Sequence, residues 1–281
     1  MKRKWALMTV GILLWTVTAV ADVSIKKHDA GFEDMEYYKG GKIAFFSDDG
    51  VEIIDAAAKT ITILNPEAMI YAETTLDEYK KIMIDHFKRM GEMQVEMIMA
   101  ATGQGRAEAE AALKEQVGAA TAKSRDVKVE KGSTKDIAGY PSEQYRFMVD
   151  GETTREIWIS PAVDALIAKE MGAGLKKVLD AAFRDMESEF AAAVMVFTGQ
   201  DAALEKAVAE VMAKGYLMQE VEGLMLSQGD TVPVRIDIST GPVDPSVFNV
   251  PSGYEKVGMA EFLEREMMEF EDDEDDDEDD E

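Results

Sequence analysis

Cysteine is absent from this 281-residue chain, and histidine is scarce. Without cysteine the protein has no disulfide, no thiolate nucleophile and no zinc–thiolate site, and an exported form has no lipobox cysteine to acylate. The two histidines, His28 and His86, leave little scope for a serine–histidine relay, and the sequence contains no G-x-S-x-G motif. The sequence therefore predicts a protein that is not an enzyme and that carries no cofactor.

Positive charge is also in short supply, because 56 acidic residues outnumber 30 Lys and Arg and give a formal net charge of −26. Nucleic acid and anionic membrane surfaces attract clustered Lys and Arg, so we expect neither as a partner. The ending "EFEDDEDDDEDDE" predicts a disordered acidic tail over 261–281, since consecutive like charges repel each other. This tail is a candidate for weak binding of Ca²⁺, another cation or a basic partner, although it lacks the glycine of an EF-hand loop.

The amino terminus, "MKRKWALMTVGILLWTVTAVADV", combines three cationic residues, a short apolar run and an Ala-x-Ala site. This pattern predicts a signal peptide over 1–21 that is cleaved before Asp22. The alternative of an uncleaved anchor is less favoured, because the apolar run is short for a membrane span. The expected location is periplasmic or secreted, with no transmembrane anchor after cleavage.

Short predicted strands dominate the sequence from 31 to 73. Turn signals at Gly40-Gly41, Asp49-Gly50 and Asn65-Pro66 separate runs that are rich in β-branched and aromatic residues. These runs are "KIAFF", "VEIID", "TITIL" and "MIYAE". Their close spacing predicts an antiparallel meander.

Two helical insertions, about 75–123 and 161–214, interrupt the strands. The first begins after Thr75 and is broken at Gly103, and the second begins with Ser160 as N-cap and Pro161 at the first helical position. Runs that are rich in β-branched and aromatic residues, and that therefore predict strands, return between and after the insertions. The order predicts an α+β fold in a single domain over 22–260: an open, curled antiparallel β-sheet, a half-barrel of about nine to eleven strands, with both insertions packed on one face.

The stretch "HFKRMGEMQVEMIMA" has a methionine stripe with two interpretations. Met83, Met90, Met93 and Met97 recur at intervals of three and four, which is typical of the apolar face of a helix that packs on the sheet or closes a cavity. Thioethers also bind Cu(I), so Met90, Met93 and Met97 with His86 form an alternative metal site. Both interpretations remain open at this point.

The order of four motifs resembles a bacterial exported family known as domain of unknown function 4412. The motifs are "YYKGGKIAFF", "IIDAAAKTITILNPEAMIYAE", "DIAGYPSEQYRFMVDGETTREIWIS" and "PSVFNVPSGYEKV", within 33–257. The pattern of strands and helices in that family is similar to that of the periplasmic lipoprotein-carrier (LolA/LolB-like) fold. That fold is an open sheet curled around helices that plug an apolar cavity. The resemblance implies a carrier or sensor for acyl chains. Family members often carry a cysteine where this chain has Ser142, so no redox role is implied.

Together these observations predict a noncatalytic periplasmic protein that binds a hydrophobic ligand, either a lipid or a lipidated partner protein, in a cavity between sheet and helices. The alternative function is metal binding, by Cu(I) at the methionine-rich helix or by weak Ca²⁺ binding at the tail. The same apolar side chains would equally suit a solid core. The candidate cavity residues are Phe45, Ile63, Phe87, Met90, Met93, Phe147, Trp158, Val234 and Ile236.

Overall fold

Short antiparallel strands build a large open sheet, as the turn signals predict. The computed structural model describes residues 22–29, 32–121, 126–198, 202–222 and 235–272. In chain order the first six strands are β1 (Val23–Asp29), β2 (Phe32–Lys39), β3 (Lys42–Ser47), β4 (Gly50–Asp55), β5 (Thr60–Asn65) and β6 (Ile70–Thr75). Gly40 and Gly41 both have positive φ, at 58° and 85°, as the two-residue hairpin turn between β2 and β3 requires.

The first insertion consists of two helices, α1 (Leu76–Thr102) and α2 (Arg106–Thr121). The Thr75 hydroxyl caps α1 by accepting a hydrogen bond from the Glu78 N–H, at 3.2 Å. Gly103 ends α1 in the left-handed conformation with φ 69°, and its N–H donates to the Met99 carbonyl. Both ends of α1 are therefore confirmed where the sequence predicts them.

Three more strands and three more helices follow. They are β7 (Val127–Ile137), β8 (Tyr140–Val149), β9 (Glu152–Ser160), α3 (Pro161–Met171), α4 (Ala173–Thr198) and α5 (Ala202–Met212). Ser160 caps α3 by accepting a hydrogen bond from the Val163 N–H, and Pro161 occupies the first turn. The second insertion thus begins where the sequence predicts it.

The chain then returns to strand structure and ends in a helix. The remaining elements are β10 (Tyr216–Glu222), β11 (Arg235–Thr240), a 3-10 helix (Pro245–Phe248), β12 (Glu255–Lys256) and α6 (Met259–Asp272). The α+β class and the open, curled antiparallel sheet are confirmed, since the large sheet does not close into a barrel. Within the described residues there are twelve strands, of which β12 has two residues.

Hydrogen bonding divides these strands between two sheets, a division that the sequence does not reveal. The large sheet has the order β11-β1-β2-β3-β4-β5-β6-β12, and the small sheet has the order β10-β9-β8-β7. Only the β12–β6 pair is parallel among the described pairs. Within the described ranges, every helix is too short or too polar to span a membrane.

Apolar side chains cover both faces of the large sheet. One face, here called the helix face, packs with Val163, Ile167 and Leu179 of α3 and α4. The opposite face, here called the outer face, packs with Val243 and Phe248 from the carboxy-terminal segment. The strands in the middle of the sheet are therefore buried on both sides, and β5 accordingly contributes Ile61 to the helix face and Leu64 to the outer face.

Ordered structure extends further toward the carboxy terminus than the sequence predicts. The chain is helical from Met259 to Asp272, and Phe262 is only 1% exposed because it packs beside Ile70 and Ala72 of β6. Met259 and Phe262 share one face of α6 and anchor it, which corrects a tail that begins at 261. Residues 273–281 and the predicted signal peptide over 1–21 lie outside the described ranges.

Gly215, between α5 and β10, passes very close to the β9–α3 junction. A Cβ atom at this position would lie 2.6 Å from Ile159 Cγ2 and 2.8 Å from the Pro161 nitrogen. Gly215→Ala is therefore expected to lower the free energy of unfolding by about 1–3 kcal/mol, because backbone must move to admit the methyl group. Urea denaturation measures this change.

Gly174→Ala is the matched control, because Gly174 lies in α4 and a Cβ atom there meets nothing within 4 Å. This variant is expected to leave the free energy of unfolding unchanged or to raise it by about 0.4–1 kcal/mol. Equal stability of the two variants would contradict the close approach at Gly215.

Candidate functional site

The register of the large sheet places two rows of side chains across its helix face. The inner row is Val23, Tyr38, Ile43, Ile54 and Ile61. The middle row, two residues along each strand, is Ile25, Glu36, Phe45, Glu52, Ile63 and Ala72. The inner row forms the core beneath α3 and α4, and each of its members is at most 5% exposed.

The middle row differs from the inner row because it is only partly covered and carries two carboxylates. Phe45 and Ile63 are half-buried, and they pack at the border of the core cluster that the inner row forms with α3 and α4. Glu52 lies between them, since its cross-strand partners are Phe45 on β3 and Ile63 on β5. The result is an apolar surface with a polar group at its centre.

A solvent-open cleft adjoins this border between α1 and α4. It has a volume of about 310 Å³, which includes open solvent, and it is lined by Leu76, Asp77, Lys80, Ala182, Phe183 and Asp185. Lys80 Nζ and Asp185 Oδ2 form an ion pair of 2.7 Å at the cleft. Leu76 and Phe183 belong both to the cleft and to the core cluster of the helix face, so the cleft leads from solvent to that cluster.

Glu36 is the carboxylate of the middle row that has an ion-pair partner and a hydrogen-bond donor. It is 6% exposed, forms a 2.6 Å ion pair with Lys27, and accepts a 2.6 Å hydrogen bond from the Tyr38 hydroxyl. Lys27 also lies 5.1 Å from the centre of the Tyr216 ring. Burial and the negative charge of Glu36 raise the pKa of Tyr38 well above its ordinary value, so Tyr38 remains a hydrogen-bond donor.

Glu52 is the carboxylate of the same row that is half-buried and has no partner in the part of the chain that the structure describes. Among the described residues, no hydrogen bond or ion pair to its carboxylate is present. Burial raises the pKa of Glu52, because the charged form loses hydration without gaining a partner. Tyr79 of α1 faces it, and burial together with the charge of Glu52 raises the pKa of Tyr79 to about 12.

Four of the predicted cavity residues belong to one cluster. Trp158 and Ile236 are 7% and 5% exposed, and Phe45 and Ile63 pack at the border of the same cluster. Val234 and the side chain of Phe87 lie outside the part of the chain that the structure describes.

Phe147 belongs to a different cluster, which corrects its predicted place. It is fully buried with Ile157, Val208 and Val211, between the small sheet and α5. Phe147 and Trp158 lie on opposite faces of the small sheet, because the β8–β9 register pairs Trp158 with Gln144 and Ile157 with Tyr145. Strand identity alone did not reveal that these faces serve two separate cores.

The methionine stripe of α1 faces solvent in the described structure. Met90, Met93 and Met97 are 38%, 46% and 62% exposed, and none belongs to a core cluster. In this half of α1 the buried positions are Gly91 and Val95. The sequence pattern allowed two neighbouring helix faces to be buried, and the small Gly91 allows close packing on the one without the methionines.

The other residues of the alternative metal site are also located. His86 is half-buried on α1, and its pKa is lowered by burial and by the nearby Arg89. Within the described ranges, no group of three or more His, Asp or Glu is arranged to hold a metal ion. A site at the stripe would therefore depend on thioether sulfur.

Glu36, Glu52 and Tyr79 were not among the predicted site residues. A sequence signal existed for the two glutamates, because each occupies an inward position of an alternating strand, in "EDMEYY" and "VEIID". A charged residue at a buried strand position requires either a partner or a function.

The Glu36 cluster supports a stability test with a matched control. Tyr38→Phe is expected to lower the free energy of unfolding by about 1.5–3 kcal/mol, because it removes a hydrogen bond to a buried carboxylate. Tyr37→Phe is expected to change the free energy of unfolding by less than about 0.5 kcal/mol, since Tyr37 packs on the outer face and its hydroxyl makes no hydrogen bond to a described residue. Thermal and urea unfolding of both variants measure the difference, and equal losses would refute the assignment.

Sequence comparisons find no relative whose function bears on this site. No protein-family model matches the chain, and no curated protein is significantly similar to it in sequence. The resemblance to the exported family therefore stays a prediction from the four motifs, and function is argued from the helix face and its neighbouring cleft.

Proposed function

We propose that this chain is a noncatalytic periplasmic protein that binds a hydrophobic ligand, either a lipid or the acyl group of a lipidated partner. The single observation that carries the proposal is the middle row of the helix face, where half-buried Phe45 and Ile63 flank an unpaired carboxylate. Aromatic and aliphatic side chains with one polar group are the usual lining of a small-molecule site.

The energetics of an acyl chain suit such a surface. Each buried methylene contributes about 0.8 kcal/mol, so a chain of about ten methylenes is enough to offset the entropic cost of association. The cleft at Leu76 and Phe183 supplies a route from solvent to the border of the core cluster. The predicted signal peptide and the resemblance to the lipoprotein-carrier fold support the same class of function.

Absence of catalysis is part of the proposal. The chain has no cysteine, and its two histidines lie on β1 and α1, outside the middle row. His28 lies 3.0 Å from Glu33 and 3.5 Å from Asp237. Glu36 is held in its ion pair with Lys27, so it is a structural group rather than a proton-transfer group.

Phe45 and Phe46 give a matched pair of variants for the binding test. Phe45 packs on the helix face, whereas the adjacent Phe46 packs on the outer face and meets Tyr37 edge to face at 5.6 Å. Phe45→Ala is expected to weaken binding of the neutral probe N-phenyl-1-naphthylamine by about tenfold or more, because it removes contact area at the site. Phe46→Ala is expected to leave probe affinity within about twofold, and fluorescence titration measures both.

Native mass spectrometry of the protein purified from its own periplasm provides the direct readout. A co-purified lipid or acyl species is expected on the wild-type chain and is expected to be depleted in Phe45→Ala. An unliganded wild-type protein that also fails to bind the naphthylamine probe would overturn the proposal.

Cu(I) binding is the second candidate function, and exposure of the methionine stripe favours it. Met90, Met93 and Met97 follow His86 at spacings of three and four, so they share one side of α1, and all three sulfur-bearing side chains are accessible. Soft thioether ligands prefer Cu(I) over divalent cations.

Replacing Met90, Met93 and Met97 together by leucine tests this second function. Anaerobic titration calorimetry with Cu(I) is expected to show binding by the wild-type chain and its loss in the triple variant. The control changes Met69 and Met212, which are 43% and 41% exposed elsewhere on the chain, to leucine. Unchanged Cu(I) affinity in the triple variant would eliminate the site.

A further inference from the structure

The two glutamates of the middle row have the same register but opposite surroundings. Glu36 on β2 and Glu52 on β4 are separated by Phe45 on β3, in one line across the sheet. Glu36 is paired with a cation and accepts a phenol hydrogen bond, each at 2.6 Å. Since a carboxylate on an apolar face is costly unless it is paired, the fold satisfies this requirement at one position and leaves it open at the other.

Glu52, the carboxylate without a partner among the described residues, lies beside the apolar side chains that would contact a ligand. Phe45 and Ile63, the cross-strand neighbours of Glu52, are the half-buried apolar members of the row. Tyr79 of α1 is close enough for the charge of Glu52 to raise its pKa, which burial also raises, to about 12, so it remains an uncharged phenol at neutral pH. No cation from the described residues therefore neutralises Glu52.

The charge of the whole molecule points in the same direction. With a formal net charge of −26, the chain repels anionic amphiphiles and attracts cationic ones. A free fatty-acid anion would meet both this field and the unpaired carboxylate. A protonated amine would supply Glu52 with the charge-assisted hydrogen bond that the protein withholds.

We propose that Glu52 is the polar anchor of the hydrophobic site, and that the site selects amphiphiles whose apolar chain carries a cationic ammonium group. This inference rests on the proposed function, because it assigns the polar end of the same ligand. The apolar chain lies along Phe45 and Ile63, and the ammonium group donates hydrogen bonds to the Glu52 carboxylate.

Displacement of bound N-phenyl-1-naphthylamine by three ten-carbon amphiphiles tests the assignment. Decylamine, decanol and decanoate share chain length and differ in head group, so their order of affinity reports on the polar anchor alone. At neutral pH and about 0.15 M salt, which screens distant surface charges, decylamine is expected to bind about tenfold more tightly than decanol, and decanoate is expected to bind most weakly.

Glu52→Gln isolates the carboxylate from the apolar surface. The variant is expected to lose about tenfold in decylamine affinity and to keep decanol affinity within about twofold. It is expected to fold, because Gln preserves the shape of the side chain and removes a charge that burial disfavours. Glu67→Gln, in the exposed turn between β5 and β6, changes the net charge equally and is expected to leave all three affinities unchanged.

The outcomes separate this inference from the proposed function. Equal affinities for the three amphiphiles, or a decylamine affinity that Glu52→Gln leaves unchanged, would overturn the role of Glu52 while the hydrophobic site stands. If the naphthylamine probe does not bind at all, the proposed function fails as well. An equal loss in Glu67→Gln would assign the selectivity to net charge instead of to Glu52.

Discussion

Packing of the inner row against α3 and α4 is the interaction on which the rest of the structure depends. Val23, Ile54 and Ile61, from three different strands, are at most 1% exposed beneath Val163 and Leu179. Burial of side chains of this size contributes about 1.5–3 kcal/mol each, so the row fixes the sheet to the helices. Because side chains alternate along each strand, this packing also fixes which residues stand in the next row and how far they are covered.

The packing of the inner row also determines which side chains the middle row presents on the helix face. A one-residue shift of β2 or β4 would turn Glu36 or Glu52 to the outer face and would remove Tyr38 or Ile54 from the inner row, so the register carries both carboxylates onto the helix face. At Glu36 the charge is compensated by Lys27 from the neighbouring strand. At Glu52 it is not compensated by any described residue, and that difference separates a structural group from a candidate binding group.

Much of the fold was predictable because its signals are local. Thr75, Gly103, Ser160 and Pro161 mark helix ends through contacts within one turn, and the hairpin glycines act through their own backbone angles. The α+β class follows from the order of these local elements.

Parts of the site were not predictable, because they depend on which surfaces meet. Met90 and Met93 fit the period of a buried stripe, but packing chose the neighbouring face with Gly91 and Val95. Phe147 is recognisable as a core residue because it is aromatic and lies on a strand. Which of the two cores it joins depends on the position of α5. The isolation of Glu52 is a property of its neighbours in space, and no pattern within β4 indicates it.

The first described strand has a consequence for the timing of folding. β1 lies between β2 and β11, and Asp22 just before it accepts hydrogen bonds from the Lys39 ammonium and from the Val243 N–H, which is 221 positions away in sequence. Closing so long a loop is slow, because its entropic cost precedes the contacts that reward it. The large sheet is therefore completed only after almost the entire chain is available, so a nascent chain that ends before β11 lacks this partner strand of β1 and stays short of the native state.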